Sequence, residues 1–202
     1  MNPLIDSEKK HIYFLQTYTG SLLSRAIKKF SAASYSHVSI GLEDSLQKFY
    51  SFGRKRPKNP LWAGFVQEDI KTGVYQIFEN TKFAIYKLEV TQEEYDKLTT
   101  VIQSFEENKN CYRYNLLGIV TAKVGFSVDR RNAYFCSQFV ATALEQSGIN
   151  VIDKKAGLVH PMDFADIEGI ELIYEGVLKE FTPELPEEVE MSPLDNKVLK
   201  MI

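Results

Sequence analysis

Ser36 to Leu42 carries the clearest alternation in the chain. Val38, Ile40 and Leu42 fall on one face, and His37, Ser39 and Gly41 on the other, which predicts a strand. The polar cluster Glu43-Asp44-Ser45 predicts a turn, and Lys48 to Gly53 returns as a second strand to make a hairpin. Upstream, Lys10 to Thr17 predicts a strand with Ile12 and Phe14 set against His11, Tyr13 and Leu15. Leu22, Leu23, Ala26, Ile27 and Phe30 follow at helical spacing, with Thr17 or Thr19 as a cap. Phe83 to Val90 resumes a strand. Thr91-Gln92-Glu93-Glu94 is a capping box, and Tyr95, Leu98, Ile102 and Phe105 then recur at intervals of three and four. A further helix is predicted over Tyr112 to Lys123, stopped near Gly125, and another from Cys136 to about Gly148. Ile170 to Tyr174 predicts a last strand.

Between these segments, residues 54–82 show no periodicity and contain Pro57, Pro60, Gly64 and Gly73, so they read as an irregular stretch beside a site. Strands and helices are partly segregated along the chain. That order predicts an α+β fold, an antiparallel sheet packed against helices. A single domain over 1–182 is expected, followed by a Pro- and Glu-rich tail over 183–202.

Composition narrows the function. A hydrophobic share of 44% supports a core, and a net charge of −3 gives no reason to expect nucleic-acid binding. Arg54-Lys55-Arg56-Pro57-Lys58 is a local basic run, suited to a solvated loop or to an anionic partner such as lipid headgroups. No window has the length of a membrane span, and the first residues lack the apolar stretch of a signal peptide. A cytoplasmic location is expected, with peripheral membrane contact left open. Neither Cys111 nor Cys136 belongs to a Cys-x-x-Cys pair, and the sequence has no phosphate loop, dinucleotide glycine pattern or His-Glu-x-x-His, so neither a metal nor an organic cofactor is expected.

Chemistry concentrates on Cys136. It opens a helix just after Arg130 and Arg131, and a thiol at such a position can be activated as a thiolate. The first backbone N–H groups of that helix can receive an oxyanion. The competing role is a buried core thiol, since Phe139, Val140, Ala143 and Leu144 continue an apolar stripe from Cys136. His37 is the imidazole on the clearest strand. It serves either as a base for the thiol or as a histidine satisfied within the sheet.

Ser-His-Val-Ser-Ile-Gly on a strand, followed far downstream by Tyr-Phe-Cys-Ser-Gln-Phe-Val-Ala at a helix start, resembles the circularly permuted NlpC/P60 papain-like proteins. That group includes the YiiX/YaeF-like proteins and relatives of lecithin:retinol acyltransferase. The cysteine follows the histidine here, as the permuted order requires. The resemblance covers roughly residues 10–175. It implies Cys136 as nucleophile, His37 as base, and a third polar residue on the next strand to orient the imidazole. Folding the hairpin about Asp44-Ser45 brings Phe49 to Phe52 opposite His37, which makes Ser51 the candidate, with Tyr50 behind it. A backbone carbonyl or a loop group such as Glu68 is the alternative.

Tyr114 and Tyr134 are candidate hydroxyl donors to an oxyanion, or simply aromatic packing residues. His160, before Pro161, is a second imidazole near the implied site or a surface residue at a short helix. The expected function is a thiol hydrolase that cleaves an amide in a small peptide, a cell-wall fragment or a lipid-like molecule. Phe52, Trp62 and Phe65 would suit a lipid. Acyl transfer on a lipid-like ester, and a non-catalytic module that retains the pocket, are the alternatives.

Overall fold

The computed structural model describes residues 9–21, 34–56, 59–122 and 124–181. The helix expected over Leu22 to Phe30 and the tail over 183–202 lie outside the described residues. The rest is a mixed α+β fold built on a six-stranded antiparallel sheet.

In chain order the strands are β1 (Lys9–Tyr18), β2 (His37–Gly41), β3 (Lys48–Arg56), β4 (Asn59–Asp69), β5 (Lys82–Thr91) and β8 (Glu171–Val177). They lie side by side as β4-β3-β2-β1-β5-β8. Short α1 (Val74–Ile77) follows β4, and α2 (Gln92–Glu107) follows β5. The Thr91 capping box forms as expected: the Thr91 hydroxyl accepts from Glu94 N–H, and the Glu94 carboxylate accepts from Thr91 N–H at 2.9 Å.

Alternation makes β1 the middle of the molecule. Ile12 and Phe14 enter one core with Val38, Ile40, Leu98, Ile102, Phe139 and Val140, beneath the helices. Tyr13 and Leu15 enter a second core with Phe49, Phe83, Ile85 and Tyr75 on the opposite face. The sheet is thus covered on both sides, and β1 is apolar on both faces for that reason.

Two expectations are corrected. Residues 54–82 are not irregular: β3 runs on to Arg56, and β4 supplies eleven further strand residues. Pro60 and Gly64 obscured this strand, but β4 is an edge strand, where proline is tolerated. The expected helix over 112–123 is shorter. Arg113–Tyr114 form β6, which pairs in parallel with β7 (Ala133–Tyr134), and α3 spans only Leu116–Ala122. Asn115 sets that start, because its Oδ1 accepts from Gly118 N–H at 3.0 Å. Its Nδ2 donates to the Val128 carbonyl and to Gln138 Oε1, so α3 is tied to α4 (Cys136–Gln146). Past the end of α4, Gly148 adopts φ 83, the left-handed conformation that terminates helices.

Candidate active site

Cys136 is the first residue of α4 and is buried. Phe135 precedes it in extended conformation and provides no side-chain cap, so the first N–H groups of α4 have no intrahelical acceptor. His37 is the first residue of β2. Cys136 lies close enough to His37 to favour its charged form.

The third residue of the site comes from β4. His37 Nε2 lies 2.9 Å from Glu68 Oε1. The other carboxylate oxygen, Oε2, accepts from the Ser39 hydroxyl at 2.5 Å and from the Tyr75 hydroxyl at 3.1 Å. Three side chains on two elements, β2 and α1, therefore hold this carboxylate in place. Burial opposes the charged imidazole, but the Glu68 carboxylate and its hydrogen bond, with the nearby Cys136, outweigh it and raise His37 to about 10. Burial likewise opposes ionised Glu68, yet His37, Ser39 and Tyr75 together hold it below the usual carboxylate range. The result is a partly buried imidazolium–carboxylate pair at neutral pH.

The expected orienting residue, Ser51, has a different task. Its fully buried hydroxyl donates to the Val38 carbonyl at 2.7 Å. The hairpin pairs Gly41 with Phe49 and Ile40 with Tyr50. Continued along the strands, that register sets Ser51 across from Ser39 and Gly53 across from His37. The shift is one residue from a symmetric turn, and one residue changes every facing side chain. A Cβ at Gly53 would stand 3.0 Å from Glu68 Oε1 and 3.5 Å from His37 Cε1. The glycine thus leaves room for a contact that passes over β3.

Tyr114 belongs to this cluster. Burial first, then the charges of Cys136 and Glu68, push its phenol well above its ordinary value, with Arg54 acting in the opposite sense. It stays a neutral hydroxyl. Arg54 also lies over the Phe78 ring, 5.4 Å from its centroid.

The other candidates fall elsewhere. Tyr50 stacks with Phe65 at 6.2 Å. Tyr134 packs in a ring cluster with Phe52, Phe105 and Tyr112. Phe52 and Phe65 are buried in that same core and do not line a substrate surface, whereas Trp62 is exposed. His160 is exposed before the short 3-10 helix Pro161–Asp166, and its backbone N–H donates to Asp163 Oδ2 at 2.8 Å. Cys111 is exposed.

In sequence Glu68 is only an alternative loop group and Arg54 only part of a basic run, and Tyr75 and Gly53 carry no candidate chemistry. Ser39 carried a usable signal, since it shares the face of His37 two residues on. Tyr75 and Arg54 carried none, because only the folded sheet brings them in. Among the described residues no three His, Cys, Asp or Glu side chains group as metal ligands. No helix there is long and apolar enough to cross a membrane.

No protein-family model, curated protein or solved structure matches this chain.

Proposed function

We propose that this chain is a thiol hydrolase of the permuted NlpC/P60 papain-like type, acting on an amide carbonyl through Cys136, His37 and Glu68. The observation that carries the reading is the His37–Glu68 contact at 2.9 Å beside a thiol that opens a helix. A lone buried cysteine needs no oriented imidazole, and a structural histidine needs no carboxylate held by two further hydroxyls.

The thiolate is the nucleophile, and an imidazolium beside the sulfur favours that form. Glu68 occupies Nε2, which leaves Nδ1 to face the thiol. Cys136 Sγ attacks the carbonyl carbon, and the carbonyl oxygen takes up negative charge against the free N–H groups at the start of α4. The Tyr114 hydroxyl is a second donor at that position. The C–N bond breaks as His37 gives its proton to the leaving amine, and a thioester on Cys136 is left. Neutral His37 then takes a proton from water. The resulting hydroxide adds to the thioester carbonyl, the carboxylic product departs, and the thiolate–imidazolium pair returns. Small peptides and lipid-like amides are the substrate classes this chemistry serves.

The test uses 4-nitrophenyl acetate on the Cys111→Ser protein, followed by intact mass. One acetyl group is expected on Cys136, removable by hydroxylamine. It is absent in Cys136→Ala and forms about 100-fold more slowly in His37→Ala. No acetylation of Cys136, or acetylation indifferent to His37, would refute the reading.

A further inference from the structure

The strongest unexplained surface is the outer face of α3 and the loop after it. Leu116, Leu117 and Val120 are 50%, 52% and 64% exposed, and Val124 and Phe126 are each 69% exposed. These are not scattered residues. Leu116, Leu117 and Val120 fall on one side of α3, while Gly118 and Ala122 are buried on the other, toward the turn at Ala156–Leu158. Phe126 N–H donates to the Thr121 carbonyl at 3.0 Å, which folds the loop back along the helix. Monomeric proteins seldom leave such a cluster facing water without a partner.

Charge indicates which partner. The chain as a whole is acidic, yet Asn108 to Asn132 contains five basic residues and a single acid, Asp129. That acid is engaged by the Ser127 hydroxyl and the Gln138 amide. Arg113, Arg130 and Arg131 are exposed. They meet at one end of α3, because Arg113 N–H donates to the Asn132 carbonyl and Ala133 N–H to the Arg130 carbonyl. The basic run of β3 comes alongside, with Lys55 Nζ 3.4 Å from the Lys109 carbonyl. An apolar face rimmed by arginine and lysine is the composition that seats on anionic lipid headgroups, with the apolar side chains entering the acyl boundary.

We propose that α3 and the Val124–Phe126 loop dock this protein on an anionic lipid bilayer surface. Tyr114 lies two residues before α3, and Asn115 ties α3 to α4, so docking would set the thiol site at the membrane. The docking itself does not depend on the proposed hydrolase activity.

Vesicle flotation of the full chain tests it, using phosphatidylcholine with and without phosphatidylglycerol. The chain is expected to float with the anionic vesicles and to release as salt rises. Leu117→Ser/Val120→Ser/Phe126→Ser and, separately, Arg113→Glu/Arg131→Glu should each weaken binding about tenfold or more, with an unchanged circular dichroism spectrum. If the serine variant loses its fold, the charge-reversed variant decides alone. Failure of the full chain to float, or flotation unaffected by the charge reversal, would overturn the proposal. So would a wild-type dimer that ignores vesicles and is dissociated by the serine substitutions, because the face would then belong to a second copy. Acetylation of Cys136 is read in parallel, so loss of docking and loss of the thiol chemistry are told apart.

Discussion

His37 and Glu68 meet at 2.9 Å although a complete strand, β3, separates the two strands that carry them. Side chains two strands apart do not ordinarily touch, since neighbouring strands are already about 4.8 Å apart. Here the strand between presents Gly53 at the crossing point, and Glu68 spans the gap with both oxygens engaged.

Gly53→Ala tests this bridge. On backbone grounds alone, alanine in a strand should gain about 0.5–1 kcal/mol over glycine. The new methyl would stand 3.0 Å from Glu68 Oε1, and the carboxylate is the part able to move. The variant is expected to unfold at no lower a temperature than wild type, yet to acetylate Cys136 about tenfold more slowly. Unchanged acetylation would mean that the bridge does not position His37.

Glu68→Gln removes the charge that holds His37 protonated. In NMR titrations the His37 ring should move down from about 10 by more than one unit, toward its ordinary value of about 6.5. The stability consequence has a definite sign. A raised histidine contributes fully below about 6.5 and loses that contribution as pH climbs through about 10. Glu68, held low, contributes fully above its ordinary value of about 4.5 and loses that contribution as the pH falls from there through its depressed value. The drop in melting temperature of Glu68→Gln against wild type should therefore be largest near pH 6 and shrink as the pH approaches 10. A constant difference across that range would contradict the ion pair.

Ser51→Ala separates structure from chemistry. The Ser51 hydroxyl donates to the Val38 carbonyl in a fully buried setting. Its loss should cost about 1 kcal/mol in denaturant unfolding. The acetylation rate of Cys136 should be unchanged. A slower rate with unchanged stability would return Ser51 to the orienting role.

Local pattern made part of this site legible, and distance hid the rest. The alternation around His37 and the apolar stripe behind Cys136 are short-range features, and both elements start within a residue of where the sequence placed them. The sequence offers the Glu68 carboxylate only as an alternative to Ser51, for a physical reason. Glu68 sits on an edge strand whose Pro60 and Gly64 break the usual period, and although its backbone pairs with Phe49 of β3, its side chain reaches past β3 to His37 on β2. The register of the β2–β3 hairpin decides whether Gly53 or a bulkier residue lies under His37, and a turn of several residues does not declare its register in sequence. Periodicity puts Tyr114 on a helix, but Asn115 caps that helix one residue later and leaves Tyr114 in β6, within the electrostatic reach of Cys136.

The most direct test is the rate of Cys136 alkylation by iodoacetamide against pH, compared between Cys111→Ser and Cys111→Ser/His37→Ala. Cys111 is exposed and would otherwise dominate the signal. With His37 in place Cys136 should alkylate at pH 6 about tenfold or more faster than in the His37→Ala protein, because an imidazolium beside the sulfur favours the nucleophilic form. Equal alkylation rates of the two proteins across the pH range would contradict the Cys136–His37–Glu68 site.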